Sequence, residues 1–248
     1  MKIIGMIHLK TLPGYPQHKT MDYVISRAID DALRLEKGGV DGILVENTDD
    51  DPHQRLVLPE IVSAFSIVAQ AIKENVSVPI GICVLWNDYR AALGIAKVIG
   101  ADFVRIPIFI EAAVTASGII EGNPYDAISY RQKLAAGHIR IMADVQVKHA
   151  GHIARRPIAE SSREAIHFGA DEIIVTGRYT GNAPVIDDLK DVRKANPDAI
   201  IAIGSGITPE NIGDLKKYAD IGIVGTYFKE NDCIDTLKVK RLMELAKA

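Results

Sequence analysis

Eight short apolar runs rich in β-branched residues alternate with helix-period segments along the whole chain, and no other sequence feature constrains the fold as strongly. The runs begin near Lys2, Asp41, Pro79, Asp102, Ile139, Glu172, Ile200 and Ile221. Strict alternation of strands with helices predicts a parallel sheet. Eight such units within 248 residues predict that this sheet closes into a single α/β domain, a (β/α)8 barrel spanning residues 1–248.

Segments of helical period fill the intervals between these runs. They cover residues 21–37, 60–74, 89–99, 125–136, 162–168, 186–195, 209–217 and 235–246. A dinucleotide-binding fold is the weaker alternative, because the first run continues into residues 7–14 without the glycine fingerprint that opens a helix. The sequence shows no low-complexity linker that would indicate a second domain.

Charge and cysteine content exclude several classes of partner. The chain has 29 Lys and Arg against 32 Asp and Glu, so no overall basic field attracts nucleic acid or an anionic membrane. No apolar stretch approaches the roughly 18 residues of a membrane span, which predicts that the protein does not insert into a membrane. The two cysteines, Cys83 and Cys233, predict neither a zinc cluster nor a disulfide framework. We expect a cytoplasmic protein, and the sequence leaves open whether it forms a homo-oligomer.

Glycine turns follow the last two predicted strands. In such barrels the ligand site lies in the loops after the carboxyl ends of the strands, often with phosphate near strands seven and eight. Glycine lets backbone N–H groups approach an anion, and a helix that begins at Pro209 would add its positive end. Ordinary tight turns are the structural alternative. The predicted phosphate-binding residues are Gly204, Ser205, Gly206, Gly225 and Thr226.

The fifth run alternates between two kinds of side chain and becomes more polar toward its carboxyl end. Alternation places its apolar residues on one face and predicts that a polar face points into the barrel, formed by Arg140, Met142, Asp144, Gln146 and Lys148. There Asp144 can act as a general base or orient a ligand hydroxyl, and a desolvated Lys148 can form a Schiff base. An internal ion pair at the barrel mouth is the alternative. His149 follows as a substrate-binding candidate.

Other strand ends carry polar side chains that would face the same mouth. Glu46 and His8 are predicted acid or base groups. The predicted substrate contacts are Asn47, Asn87, Arg105, Thr176 and Gly177. The adjacent carboxylates of Asp49, Asp50 and Asp51 are interpreted as solvated, so we assign no metal, and no motif indicates a cofactor.

Residues 108–123 form an unusually long connection after the fourth strand. Connections longer than about 12 residues in compact domains are often lids or binding loops. Glycines surround Glu121 in this segment, which favours a mobile lid that carries Glu121 to the site as a further catalytic group.

At these residues the sequence resembles the BtpA family, which includes proteins named SgcQ. The matching motifs are IGMIHLK at 4–10, LPG at 12–14, GVDG at 39–42, VEN at 45–47, ND at 87–88, GIIEG at 118–122, ADVQVKHA at 143–150, VTG at 175–177 and GSG at 204–206. The resemblance implies a (β/α)8 barrel, and the family takes its name from a cyanobacterial protein associated with photosystem I biogenesis. The chain departs from the family pattern at Thr48, His53, residues 106–108 and residues 116–117, so the resemblance does not imply one particular substrate.

Two classes of function follow. The first is an enzyme that acts on a small phosphorylated sugar or nucleoside-like metabolite, for which proton abstraction, aldol-type cleavage and glycosidic cleavage all fit the carboxylate, lysine and histidine set. The second, implied by the family name, is a noncatalytic biogenesis or stability factor for a membrane complex such as photosystem I. A nucleic-acid regulator is disfavoured by the charge balance.

Overall fold

Eight parallel strands form a closed barrel in the computed structural model, which describes residues 1–154 and 156–248. The strands are β1 Lys2–His8, β2 Gly42–Glu46, β3 Ile80–Cys83, β4 Phe103–Ile106, β5 Arg140–Val145, β6 Glu172–Val175, β7 Ile200–Ile203 and β8 Ile221–Val224. Each pairs with its neighbour in sequence, and β8 closes the barrel by pairing with β1. The predicted (β/α)8 barrel is confirmed.

A helix follows each strand and packs outside the barrel. The helices are α1 Met21–Gly38, α2 Pro59–Asn75, α3 Tyr89–Ile99, α4 Pro124–Lys133, α5 Ile158–His167, α6 Ile186–Ala195, α7 Ile212–Leu215 and α8 Thr236–Lys247. Within the described residues, none of them combines the length and apolar character needed to cross a membrane.

Two helix starts differ from those the periodicity predicts. α5 begins four residues early, directly after Pro157, which precedes the helix with φ −54° and ψ 133°. α7 begins late because the Asn211 side chain accepts from Thr208 N (2.8 Å) and donates to Gly206 O (2.8 Å). Such local side-chain bonds compete with helix formation. With only four residues, α7 does not supply the helix end expected at Pro209.

Side chains pack on both faces of the barrel wall. Along β5, Ile141 and Ala143 pack outward in the large core beneath the helices. Met142, on the opposite face, joins an interior cluster that includes Leu44 and Phe103. The barrel is therefore filled below its mouth, and the predicted alternation of β5 is confirmed over its length.

Residues 108–123, the long connection after β4, contain a β-hairpin. Strands Ala112–Thr115 and Gly118–Glu121 pair antiparallel, and Gly151–His152 adds a third strand. We call this unit the mouth sheet. Its Ala113 and Ile120 are buried against Val147, and a ligand-dependent lid movement of this segment stays a prediction. A second hairpin, Lys229–Glu230 with Cys233–Ile234, follows β8.

Candidate functional site

A cavity of about 450 Å³ opens at the carboxyl ends of the barrel strands. This size suits a small molecule. We call it the mouth cavity. Its polar lining includes His8, Glu46, Thr48, His53, Arg105, Lys148, His149, Thr180, Gly204, Ser205, Gly206, Thr208, Gly225, Thr226 and Tyr227. The structure thus brings together most of the residues that the strand ends predicted.

A buried ion pair forms the floor of the site. The Arg105 guanidinium donates from Nε to Asp144 Oδ1 and from Nη2 to Asp144 Oδ2, both at 2.8 Å. Its Nη1 lies 3.5 Å from Glu46 Oε2. Burial alone would lower the pKa of Arg105, but the Asp144 carboxylate raises the pKa above its usual value. The guanidinium is therefore a permanent charge fixed by a bidentate contact.

Asp144 does not reach the open mouth. Its side chain is fully buried, both oxygens accept from Arg105, and it does not line the cavity. The internal ion pair, which the sequence left as an alternative, is what forms. The expectation of a general base at this position is corrected: Asp144 holds Arg105 in place.

Glu46 is the buried carboxylate that does face the cavity. Burial acts to raise its pKa, yet the charge of Arg105, together with His8 and Lys148, lowers the pKa below the usual value. Thr48 also donates its hydroxyl to Glu46 Oε1 at 2.9 Å. Glu46 is consequently ionised near neutral pH.

His8 ends β1 and lines the cavity. Burial, helped by the positive charges of Lys229 and Lys148, lowers the pKa of His8 to about 4 despite the nearby Glu46 carboxylate. The imidazole is therefore neutral near pH 7, a form that can accept a proton or donate a hydrogen bond.

Lys148 and His149 lie on the loop after β5. The Lys148 backbone N–H donates to Thr176 Oγ1 at 3.1 Å, and its side chain lines the cavity. His149 has a φ of +60°, and its Nε2 accepts from Thr180 N at 3.1 Å. Because β5 ends at Val145, the local loop conformation and not strand alternation brings Lys148 to the mouth.

All five predicted phosphate-binding residues line the mouth cavity. Gly206 has a φ of +76°, and a Cβ atom there would lie 2.0 Å from Ala183 N, so the turn requires glycine. Ser205 Oγ donates to Asn182 O at 2.7 Å. Phosphate binding at these turns stays a prediction.

These turns lie directly against the ionisable groups. A Cβ atom at Gly204 would lie 3.7 Å from Arg105 Nη2, and one at Gly225 would lie 3.0 Å from His8 Cε1. A Cβ atom at Gly204 would also lie 2.6 Å from Thr176 Cγ2, so close packing at this turn requires glycine.

Two asparagines predicted as substrate contacts bind loop backbone instead. Asn47 accepts from Leu85 N at 2.8 Å and donates to Asp50 at 3.2 Å. Asn87 donates to Ile108 O and accepts from Ile108 N, both at 2.8 Å. Neither side chain lines the cavity, so both assignments are corrected to structural roles.

Glu121 is also absent from the cavity lining. It lies exposed at the end of a mouth-sheet strand, opposite Ala112. Movement of Glu121 to the site on ligand binding stays a prediction. The interpretation of Asp49, Asp50 and Asp51 as solvated is wrong for Asp50. This side chain is fully buried and accepts a hydrogen bond from Leu12 N at 2.8 Å. Within residues 1–154 and 156–248, no group of three or more His, Cys, Asp or Glu side chains is arranged to hold a metal ion.

Thr176 and Gly177 line a wider groove of about 1160 Å³ beside the cavity. The groove and the cavity share Val147, Lys148 and His149 as their common rim. A Cβ atom at Gly177 would lie 2.4 Å from Asn182 O, so close backbone packing accounts for this glycine.

The sequence did not single out His53 or Tyr227 as site residues, yet both line the cavity. His53 Nε2 is buried without a hydrogen-bond partner in the described part of the chain. One feature of the sequence could have identified His53 as a site residue: the chain departs from the family pattern at Thr48 and His53, and both residues line the cavity.

Comparison with known proteins shows relatives along the full chain. The model of the BtpA family matches residues 1–248. A protein of Archaeoglobus fulgidus is 38% identical over 99% of this chain and 98% of its own length. The photosystem I biogenesis protein BtpA of Synechocystis is 36% identical, with 98% of this chain and 86% of the relative covered. The sgc region protein SgcQ of Escherichia coli is 28% identical, with coverage of 98% and 92%.

Solved structures with the same architecture are more distant in sequence. (S)-3-O-geranylgeranylglyceryl phosphate synthase from Thermoplasma acidophilum, in complex with sn-glycerol-1-phosphate, gives a TM-score of 0.65 at 17% identity, with 99% of this chain and 93% of that chain covered. Thiamine phosphate pyrophosphorylase from Pyrococcus furiosus gives 0.62 at 15% identity, with 99% and 95% covered. Likeness at this identity shows the fold alone.

Proposed function

The chain belongs to the BtpA family, and from this premise we propose that it is an enzyme acting on a small phosphorylated sugar or nucleoside-like metabolite at its barrel mouth. One observation carries the proposal: the glycine turns after β7 and β8 line a single cavity together with Glu46, Arg105 and His8. An anion-binding surface and a set of acid and base groups therefore face the same enclosed space.

The phosphate would be held by backbone donors. Gly204 donates its own N–H to Val175 O at 2.9 Å, so the proposal assigns the phosphate to the amides of Ser205, Gly206, Gly225 and Thr226. Backbone amides do not titrate near neutral pH, so their binding of an anion does not depend on their protonation. They can also approach an anion closely where side chains are absent. Two solved structures of the same fold support this choice: one is a thiamine phosphate pyrophosphorylase, and the other is a synthase in complex with sn-glycerol-1-phosphate.

The reacting part of the substrate would face the ionisable groups that line the same cavity. Glu46 is an ionised carboxylate, His8 is a neutral imidazole, and Lys148 is a partly buried amine whose pKa is lowered. Such groups can move protons to and from a bound sugar or nucleoside. Proton abstraction, aldol-type cleavage and glycosidic cleavage remain the three candidate reactions.

Ligand-induced stabilisation tests the phosphate site, because a ligand that binds only the folded state raises the unfolding temperature. Inorganic phosphate should raise the Tm of the wild-type protein. Thr226→Asp, which adds a negative charge beside the turn, should abolish the rise. The matched control Thr236→Asp lies at the start of α8, outside the cavity lining, and should retain it. Equal stabilisation of both variants would reject the site.

A noncatalytic assembly factor is the second candidate. Its support is the name of the Synechocystis relative, a photosystem I biogenesis protein. The geometry of this chain supports ligand chemistry more directly, since charged groups and glycine turns share one cavity. A cytoplasmic location and a homo-oligomeric state stay predictions.

A further inference from the structure

We propose that Lys148 is a covalent catalytic residue whose side-chain amine forms an imine with the carbonyl group of a phosphorylated aldehyde or ketone. This inference rests on the proposed function and narrows its substrate class: the ligand must carry both a phosphate and a carbonyl group. Such compounds include sugar phosphates in their open-chain form.

The position of Lys148 supports this role. Its backbone is fixed by the 3.1 Å bond from its N–H to Thr176 Oγ1, while its side chain lines the mouth cavity together with the phosphate-binding turns. A substrate whose phosphate lies at the turns after β7 and β8 would extend across the cavity toward the β5 side. Lys148 also lines the adjoining groove, so a covalently held substrate has space for its remaining atoms.

The surroundings of the amine differ from those of another lysine near the mouth. Lys10 Nζ lies 2.9 Å from Asp49 and 2.6 Å from Asp232, so two carboxylates hold it as an ammonium. Across residues 1–154 and 156–248, Lys148 Nζ has no carboxylate within 4.0 Å and no hydrogen-bond acceptor at bonding distance. Lys148 can therefore present its amine to a ligand without first breaking an ion pair.

Electrostatics favour the reactive form of this amine. Burial lowers the pKa of Lys148, and the fixed positive charge of Arg105 adds to the effect, while Glu46 and Asp144 partly oppose it. Only the neutral amine has the lone pair that attacks a carbonyl carbon. The contrast with Lys10 is direct, because its two carboxylate partners raise the pKa of Lys10 despite its partial burial.

The step balances without any further reagent. The Lys148 ammonium gives one proton to a base in the cavity, for which ionised Glu46 is the candidate, and Nζ then forms a bond to the carbonyl carbon. The resulting carbinolamine loses its hydroxyl as water, which takes up the proton returned by Glu46. The product is a protonated imine, so one ammonium and one carbonyl give one iminium ion and one water.

Reductive trapping tests the inference. The intact protein is incubated with dihydroxyacetone phosphate or glyceraldehyde 3-phosphate and sodium cyanoborohydride, which reduces the iminium to a stable secondary amine. Peptide mass spectrometry should locate the adduct at Lys148, and inorganic phosphate should suppress it. Lys10→Arg should keep the labelling, while Lys148→Arg should lose it. Mapping of the wild-type protein does not depend on how either variant folds.

Separate outcomes reject the two proposals separately. If the probes raise the Tm of the wild-type protein but Lys148 carries no adduct, or only the same labelling as exposed lysines, the imine is rejected and the phosphate site stands. If Lys148 is labelled and phosphate does not compete, the imine stands and the phosphate assignment is wrong. If the probes neither stabilise the protein nor label Lys148, both proposals fail.

Discussion

The two sides of the barrel mouth are built in opposite ways. On the side of β2, β4 and β5, charged side chains hold one another: Arg105 lies between Asp144 and Glu46 with almost no exposure to solvent. On the side of β7 and β8, the surface consists of glycine turns that pack closely against neighbouring backbone and side chains. The first side depends on charge compensation, whereas the second depends on the absence of Cβ atoms. A mutation should therefore damage the two sides through different physical causes.

The charged side should show the largest effect on stability. Asp144→Ala leaves the Arg105 guanidinium buried without its bidentate partner, and breaking a buried pair in this way costs about 3–5 kcal/mol of unfolding free energy. Urea unfolding measures the loss. Asp126→Ala is the matched control, because Asp126 makes the same two-bond contact to Arg90, at 2.8 and 2.7 Å, on the protein surface. A similar loss in both variants would show that burial does not distinguish the pairs.

The glycine side should respond to one added carbon atom. Gly206→Ala places a Cβ atom 2.0 Å from Ala183 N at a positive φ, and such strain should cost roughly 3 kcal/mol and weaken phosphate-induced stabilisation. Gly213→Ala is the control, since nothing lies within 4 Å of its Cβ position within α7. There alanine should stabilise the protein slightly. Thermal unfolding with and without phosphate measures both changes; a phosphate response in Gly206→Ala equal to that of wild type would contradict the prediction.

His8 connects the two sides and should give the smallest effect, which depends on pH. Its pKa falls from 6.5 in the unfolded chain to about 4 in the folded protein, so folding favours the neutral form. The associated stability is present above pH 6.5 and is lost as the pH falls toward 4, by about 2 kcal/mol after allowance for partial solvent contact. Urea unfolding of His8→Gln should show a weaker loss across that range. The control is His138→Gln, at an exposed position before β5, which should behave as wild type. If the unfolding free energy of His8→Gln depends on pH as strongly as that of wild type, His8 is not the cause of the pH dependence.

The barrel could be predicted because the periodicity of strands and helices appears among neighbouring residues in the sequence. Side-chain partners, in contrast, come from distant parts of the chain. Alternation along β5 correctly placed Met142 inside the barrel. It could not show that Asp144 would be paired with Arg105, which lies 39 residues earlier in the chain. The same limit applies to Asn87, where the sequence indicates an amide at a strand end but not that Ile108 occupies both of its bonding groups. Residues such as His53 reach the mouth from a connection whose path no local pattern predicts.

The mouth sheet has a consequence for how this barrel can be altered. Its strand Gly151–His152 comes from the connection after β5 and pairs with Ala113 and Val114 from the connection after β4. Neither connection can be transplanted from another barrel on its own, because the remaining one would expose an unpaired strand edge. For loop grafting or recombination between relatives, the two connections form one cassette. The strands that carry Arg105 and Asp144 lead directly into that cassette, so exchanging it would also bring new surroundings to Lys148.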